Sequence, residues 1–242
     1  MLLLRPPGVY RPQSDTRLLA GAFGAAGVPR GARVLELGTG TGAVAMAAAR
    51  GGCRVVAVDV SAQAVLTARL NALLRGLPVR VLRGDLFAPV AGETFDVIVA
   101  NPPYVAGTAD PGTVRGRARA WEAGPDGRAL VDRICAEAPR HLTPSGTLLM
   151  VHSALNGVAA TLVSLREAGM HARVVARRRE PFGPVMRRRA GELRARGLLG
   201  PHQTYEDLVV VRADRAADRA AGTATAGDTA DAGGDGRGRR AA

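Results

Sequence analysis

Short runs of β-branched residues alternate with stretches rich in alanine and leucine through the first 212 residues of this 242-residue chain. This alternation is typical of a parallel sheet flanked by helices, because each strand needs a crossover before the next parallel strand can pair with it. Strands are predicted at residues 33–37, 54–58, 79–82, 95–100, 146–151, 172–176 and 207–211, and helices over 43–50, 61–74, 127–142 and 157–168. The last two strands are far apart, which suggests a hairpin. The sequence therefore predicts an α/β fold with a seven-stranded, mostly parallel sheet and an antiparallel last strand.

Two segments depart from this pattern. Residues 178–204 form a basic insertion between the last two strands, and residues 185–196 could form a helix within it. Residues 213–242 contain no aromatic and no large aliphatic side chain, so they cannot bury enough apolar surface to offset the entropy of ordering. We predict one domain over residues 1–212 and a disordered, low-complexity tail over 213–242.

The net charge of +12 comes entirely from arginine, since the chain has no lysine. Such a one-sided choice is typical of a bias in the coding sequence. The arginines are nevertheless concentrated, with triplets at 177–179 and 187–189 followed by Arg194 and Arg196. This stretch could contact the phosphates of a nucleic acid or could be a solvated basic face, and the sequence leaves both interpretations open.

Few residues indicate a metal site, a disulfide framework or a membrane segment. Cys53 and Cys135 are too few for a disulfide framework or a metal cluster, and the four histidines lack ligand spacing. No secretory signal and no apolar run of about 18 residues is recognisable. We expect a cytoplasmic protein with no metal ion and no membrane segment.

The loop after the first predicted strand, residues 36–42, has the sequence ELGTGTG. Glycines at alternate positions let the backbone turn tightly and approach a ligand, and the helix that follows offers free N–H groups to a carboxylate. Dinucleotide enzymes also use a glycine-rich turn, but with the spacing G-x-G-x-x-G. Here the spacing is G-x-G-x-G and Glu36 directly precedes it.

Carboxylates also stand at the ends of the next two predicted strands. Asp59 ends the second strand, where a carboxylate can bind both hydroxyls of a ribose. Asp85 follows the third strand and could accept a hydrogen bond from the exocyclic amine of an adenine. Acids at the ends of three consecutive strands strengthen the prediction of a cofactor site.

The segment Asn101-Pro102-Pro103-Tyr104 follows the fourth predicted strand directly. The prolines stop and stiffen the chain at the carboxyl edge of the sheet, where ligands bind in open α/β folds. The Asn101 side-chain oxygen and the Pro102 carbonyl could accept both N–H bonds of a planar NH2 group and aim its lone pair at a methyl donor. Tyr104 would stack on the flat face of the target. The segment predicts methylation of a planar nitrogen, and by itself does not separate an amide from a nucleobase.

With these residues, the chain resembles the HemK family of protein-glutamine N5-methyltransferases, which have the Rossmann-like class I methyltransferase fold. The resemblance covers roughly residues 8–175 and 203–212. It is strongest to the short branch, found in eukaryotes and archaea, which lacks an N-terminal helical domain. Residues 9–16 resemble V-Y-x-P-x-x-D-T, residues 34–42 and 101–104 match the two loops above, and residues 120–128 resemble A-W-x-G-G-x-x-G-R.

The resemblance implies S-adenosyl-L-methionine as the cofactor and a role for each matching residue. The implied catalytic residues are Asn101, Pro102 and Tyr104, and the implied cofactor-binding residues are Thr16 with Asp15 beside it, Glu36, Gly38, Gly40, Asp59, Asp85 and Asn101. The family's natural targets are Gly-Gly-Gln tripeptides of translation release factors, with lysine as a reported target in the short branch. Its eukaryotic members work with a small zinc-finger subunit. The arginine content of residues 177–202 departs from the family.

Two other functions stay open at this point. An N-methyltransferase of adenine or guanine in RNA or DNA would use the same chemistry on an unstacked base. The arginines favour it, but no segment is long enough for a target-recognition domain. A catalytically idle RNA-binding protein would have decayed motifs, whereas the glycines, acids and Asn101–Tyr104 are intact. Trp121 could close over the substrate pocket or could simply pack.

Overall fold

The computed structural model describes residues 3–107 and 123–215. The strands are β1 Arg33–Leu37, β2 Arg54–Asp59, β3 Val79–Arg83, β4 Phe95–Ala100, β5 Leu142–Ser153, β6 Met170–Pro181 and β7 Tyr205–Arg215. The α-helices are α1 Ser14–Ala25, α2 Ala43–Arg50, α3 Ala62–Leu73, α4 Ala129–Glu137, α5 Val158–Glu167 and α6 Pro184–Ala195.

The seven strands form one sheet in the order β3-β2-β1-β4-β5-β7-β6. Strands β1 to β5 are parallel, and β7 lies antiparallel between β5 and β6. The predicted α/β sheet with its antiparallel last strand is therefore confirmed. The chain builds outward from β1 to β3 and then returns to place β4 on the other side of β1, which creates a switch point. Ligands of open α/β sheets bind at such a point, outside the carboxyl ends of the strands.

Helices cover both faces of the sheet, so its central strands are buried on both sides. Leu35 and Ile98 pack toward α4 and α5, and Val34 and Val97 pack toward α1, α2 and α3. In α2 the sheet-facing side chains are mostly alanines, which lets this helix lie close to the strands. A core of this kind depends on β-branched and aliphatic residues, in agreement with the aromatic content of 3%.

The predicted strands and helices are all present, but α1 was not predicted and β5 begins four residues earlier than expected, at Leu142. Three other boundaries were wrong for identifiable reasons. The helix expected over 127–142 ends at Glu137, because Pro139 cannot continue its hydrogen bonding and a 3-10 turn follows. Strand β6 does not end at 176 but continues to Pro181, because it pairs with β7 as far as Tyr205. Residues 178–181 thus belong to the sheet and not to the insertion that was predicted over 178–204.

The third boundary concerns the tail. Strand β7 runs through Arg215, and Ala213 is buried opposite Leu148, so residues 213–215 belong to the domain and not to the predicted tail. Residues 216–242, on which the rest of that prediction falls, lie outside the described residues. The helix predicted within the basic insertion is α6, which begins and ends one residue earlier than expected.

Within the described ranges, no helix is long and apolar enough to span a membrane, and no group of His, Cys, Asp and Glu side chains could hold a metal ion. Cys53 and Cys135 are buried free thiols. Burial raises the pKa of the Cys135 thiol to about 12, so this side chain is an unreactive packing residue.

Candidate active site

The glycine loop after β1 and the segment after β4 meet at the switch point of the sheet. Leu37 is in register with Ala100, so the two strands end side by side. Gly38 has φ +69°, and a Cβ built on it would lie 3.4 Å from the backbone oxygen of Asn101. Gly38 therefore supplies both the left-handed turn and the close approach that bring the two loops together.

Glu36 is buried beneath the glycine loop and holds its shape. Its Oε2 accepts a hydrogen bond from the Thr39 hydroxyl at 2.5 Å and one from the Ala45 backbone N–H at 3.0 Å. These bonds tie the strand end to both the loop and the first turn of α2. Burial raises the pKa of Glu36 to about 7, against the opposing effect of these hydrogen bonds.

Asp59 connects the end of β2 to the same loop. One carboxylate oxygen accepts from the Gly40 N–H and the other from the Ser61 N–H, each at 2.9 Å. Gly40 itself has φ +53°. The structure thus brings Glu36, Asp59 and the glycines to one edge, as the sequence predicted.

Asp85 lies at the end of β3, beside the end of β2, where Gly84 donates its N–H to the Asp59 carbonyl. Its carboxylate forms a two-pronged ion pair with Arg133 of α4, at 2.8 and 3.3 Å. Both side chains are about half exposed. The sequence placed Asp85 at this edge but gave no sign of its cation partner.

The buried carboxylate of Asp15 contacts both the N-terminal segment and the loop that follows β4. This loop, residues 101–107, contains the predicted catalytic residues and is called the catalytic loop below. Its Oδ2 accepts from the hydroxyls of Tyr10, at 2.7 Å, and Tyr104, at 3.2 Å. Its Oδ1 accepts from the backbone N–H and the hydroxyl of Thr16. Asp15 stands in the first turn of α1, where the helix dipole favours a negative charge. One side chain therefore connects Tyr10, Tyr104 and Thr16.

Thr16 in turn orients Asn101. The Asn101 side-chain N–H2 points to the Thr16 hydroxyl oxygen at 3.4 Å, so the amide oxygen faces the opposite way. Burial, reinforced by the Asp15 charge, raises the pKa of the Tyr104 phenol well above its usual value. Tyr104 is therefore a neutral hydrogen-bond donor. The predicted residues Thr16, Asn101 and Tyr104 are brought together in one hydrogen-bonded group.

Asn156, a residue that sequence analysis missed, clamps the catalytic loop from the other side. Its side-chain N–H2 donates to the Tyr104 carbonyl at 2.7 Å and to the Asp126 carbonyl at 3.0 Å. Arg128 holds Asn156 in place by donating to its backbone oxygen at 2.6 Å. Gly127 has φ +75°, and a Cβ on it would collide with the Asn156 amide and the Tyr104 carbonyl. The glycine and arginine of the resembling segment 120–128 thus support the loop, while Trp121 lies outside the described residues.

Helix α6 packs on the catalytic loop, and hydrogen bonds from Arg189 and Arg196 hold the two together. Met186 and Leu193 pack in one apolar cluster with Val105. Arg189 donates to the Ala106 carbonyl at 2.8 Å, and Arg196 donates to the carbonyls of Gly107 and Pro125. These contacts fix the position of the residues that directly precede and follow residues 108–122.

Other arginines between residues 177 and 196, called the basic segment below, also contact groups of this chain. Arg178 pairs with Glu180, Arg179 pairs with Asp207, and Arg194 donates to the Gln203 carbonyl. For Arg177, Arg187 and Arg188, the described residues provide no such partner. Most arginines of the basic segment therefore form contacts within the chain, which the composition alone did not reveal.

The model of the methyltransferase small domain family matches residues 3–117. The chain is 34% identical over 181 residues to a putative protein N5-glutamine methyltransferase of Methanocaldococcus jannaschii, covering 74% of this chain and 90% of that relative. The chain belongs to the protein N5-glutamine methyltransferase family. As a methyltransferase of this family it uses S-adenosylmethionine, which confirms the predicted cofactor.

Two further comparisons bear on the length and the fold. A release factor glutamine methyltransferase of Deinococcus radiodurans is 42% identical over 149 residues, covering 59% of this chain and 52% of that enzyme. The chain thus spans about half the length of that bacterial relative. The E. cuniculi Mtq2–Trm112 complex, which methylates the eRF1 translation termination factor, has a chain of the same fold. Its TM-score is 0.62 at 24% identity, covering 86% of this chain and 99% of that one.

Proposed function

We propose that this methyltransferase modifies the side-chain amide of a glutamine in a translation protein, with a release factor as the first candidate. The observation that carries the proposal is the meeting of Asn101 with the glycine loop at the switch point, with Thr16 turning the Asn101 amide oxygen outward. An outward acceptor beside a cofactor loop suits a substrate that offers N–H bonds.

The residues at this edge fit S-adenosylmethionine, which supplies an electrophilic methyl group when bound. Asp59 ends β2 at this edge, where its carboxylate would accept hydrogen bonds from the hydroxyls of a ribose. Asp85 lies one strand further out, in reach of an adenine amine, and Arg133 would share its carboxylate. Gly38, Gly40, Glu36 and Thr16 would surround the methionine part.

On the acceptor side, an amide nitrogen is a weak nucleophile because its lone pair is delocalised. Asn101 Oδ1 and the Pro102 carbonyl would accept its two N–H bonds, so that the lone pair points along the line of transfer. Tyr104 would lie against the amide plane. When the new N–C bond forms, the bond between the methyl group and the sulfonium sulfur of the donor would break, leaving a thioether. The nitrogen then releases one proton to solvent, so the site needs no strong base. Positioning and electrostatics supply the catalysis.

The test is methyl transfer from tritiated S-adenosylmethionine to a purified release-factor domain, to the same domain with its candidate glutamine changed to asparagine, and to total RNA. We expect label on the first only. Label on RNA and none on protein would refute a protein acceptor and support the nucleobase alternative. Label on both protein samples would mean that another residue is modified.

The structure gives the nucleobase alternative less support than the arginine count did. Five of the eight arginines between 177 and 196 contact carboxylates or carbonyls of this chain, as described above. A continuous phosphate-binding face would need exposed, unengaged cations. Methylation of RNA is therefore the alternative outcome of the methyl-transfer experiment.

A partner subunit is the second part of the proposal, since the Mtq2 relative is a complex with Trm112. Helix α3 exposes Leu66, Leu70, Leu73 and Leu74 on one side, with exposures of 41–74%. Contiguous exposed leucines mark an interaction surface. We propose that a small zinc-finger subunit covers them, in the cytoplasm, where Cys53 and Cys135 stay reduced. Coexpression with such a subunit should give a one-to-one complex, which Leu70→Asp should disrupt; failure to form with the wild type would refute the proposal.

A further inference from the structure

A small cavity of about 20 Å³ lies beside the catalytic loop, under α6. Met186, Leu193 and Leu198 form its apolar wall, and Tyr104 borders it on the loop side. Asn101, Pro102 and the glycine loop are not among its lining residues. The cavity is therefore next to the place of methyl transfer but does not include it.

Two residues that line this cavity each carry a buried acceptor atom that lacks a partner in the described part of the chain. Glu206, at the start of β7, is only 8% exposed; the Ser153 hydroxyl donates to its carboxylate, but Oε2 receives no hydrogen bond. Asn156 is 4% exposed, and its Oδ1 is likewise unsatisfied. Buried acceptors without donors are rare in folded proteins because each loses its water without compensation. A donor group that enters the cavity, with these two side chains turned toward it, would satisfy both.

The charges around the cavity determine which donor is favoured. Burial and the nearby carboxylates of Asp15 and Glu180 raise the pKa of Glu206. Glu180 is already paired with Arg178, and Asp15 already accepts hydrogen bonds from Tyr10 and Tyr104. Asp126 adds a further carboxyl group to the lining. A cation would stabilise the ionised form of Glu206, which these surroundings disfavour, whereas a neutral donor would not.

We propose that this cavity is a subsite for a lysine side chain that flanks the methylated residue in the substrate. Its ammonium group would donate to Glu206 Oε2 and Asn156 Oδ1, and its methylene groups would lie on Met186, Leu193 and Leu198. An ammonium group is close to water in size, so the ammonium end alone would occupy the enclosed part of the cavity, and the methylene groups would extend out of its open side. A guanidinium group is too large for the enclosed part. The proposal rests on the proposed function, since it takes the substrate to be a protein.

The first test uses peptides with one fixed glutamine and with either lysine or norleucine at each flanking position. Norleucine keeps the methylene chain and lacks the charge. For the wild type, we expect one position at which lysine raises kcat/KM about tenfold over norleucine, the value of one charge-assisted hydrogen bond. Glu206→Gln should bring this ratio to within about twofold, with the norleucine rate unchanged. Glu167→Gln, which removes an exposed carboxylate on α5, is the matched control and should keep the preference.

An unchanged lysine preference in Glu206→Gln, or no preference at any position in the wild type, would overturn the subsite. So would an equal loss on both peptides, because that is the result expected of a purely structural residue. If no glutamine peptide or protein is methylated at all, the proposed function fails, and a binding measurement then tests the subsite separately.

That measurement uses n-butylammonium as a probe of the cavity, with 1-pentanol as its neutral counterpart. Calorimetry should give millimolar binding of butylammonium to the wild type, at least about tenfold weaker binding to Glu206→Gln, and none of pentanol. Butylammonium should also inhibit methylation of the lysine peptide more than that of the norleucine peptide, a comparison that needs no variant. Equal binding of the cation and the alcohol, or no binding of either, would mean that the cavity holds only water.

Discussion

The buried carboxyl group of Glu36 should make the stability of this protein depend on pH in a way that one substitution removes. Burial raises its pKa from 4.5 to about 7 in the folded chain. Between these two values the unfolded chain has released the proton that the folded chain keeps, so stability falls as the pH rises. At about 1.4 kcal/mol per pH unit, the 2.5 units between them amount to about 3.5 kcal/mol. Below pH 4.5 and above pH 7 this contribution is constant.

Glu36→Gln is the appropriate perturbation, because the glutamine side-chain oxygen can still accept from Thr39 and Ala45 but does not titrate. We expect the variant to match the wild type in free energy of unfolding near pH 4.5 and to exceed it by about 3.5 kcal/mol at pH 8. Urea unfolding followed by far-UV circular dichroism, at intervals of one pH unit, measures the free energy of unfolding of both proteins. The contributions of all other titrating groups cancel in the difference between the two. Glu167→Gln, which makes the same substitution at an exposed position on α5, is the matched control. A flat difference for Glu36→Gln would show that Glu36 is ionised throughout and refute the reasoning.

Three further predictions concern the loops at the switch point. Asn101→Ala should abolish methyl transfer and leave S-adenosylmethionine binding by calorimetry within a few fold; equal loss of both would make the loop merely structural. Asp59→Ala should do the reverse and weaken cofactor binding by about tenfold or more, since it removes charge-assisted hydrogen bonds, and an unchanged Kd would contradict the ribose role. Gly127→Ala should cost more than about 1 kcal/mol in unfolding free energy and lower kcat, because φ +75° and the Tyr104 carbonyl exclude a Cβ. Gly191→Ala in α6, where a Cβ meets nothing within 4 Å, should instead be neutral or stabilising, and similar effects of the two changes would be inconsistent with this explanation.

The element pattern and the location of the candidate site could be predicted from the sequence, because both depend on local rules. Strand and helix periods are set by neighbours within a few residues, and the Ser61 cap of α3 was visible as a single side chain before an apolar stretch. Parallel strands end at one edge of a sheet. Glu36, Asp59 and Asn101 therefore had to lie near each other once their strands were recognised.

Partners from distant parts of the chain could not be predicted in this way. The Tyr104 hydroxyl meets Asp15 across 89 residues, and the Asn156 amide meets the Tyr104 carbonyl across 52. Such pairs depend on the strand order and on how each helix packs, which no local period encodes. The same limit explains why β6 was expected to be too short, since its last residues form a strand only by pairing with β7.

The sequence by itself determined the fold class and the edge of the sheet at which Glu36, Asp59 and Asn101 lie, because glycines, strand-end acids and prolines act through their own conformations and charges. Only the tertiary structure decided what the basic segment does. Its composition suggested a surface for phosphates, but packing places Arg189 and Arg196 on the backbone of the catalytic loop. It also leaves Glu206 beside that loop as a buried carboxylate with an unsatisfied oxygen. Composition reports a residue's charge, and only the fold reports which groups that charge can reach.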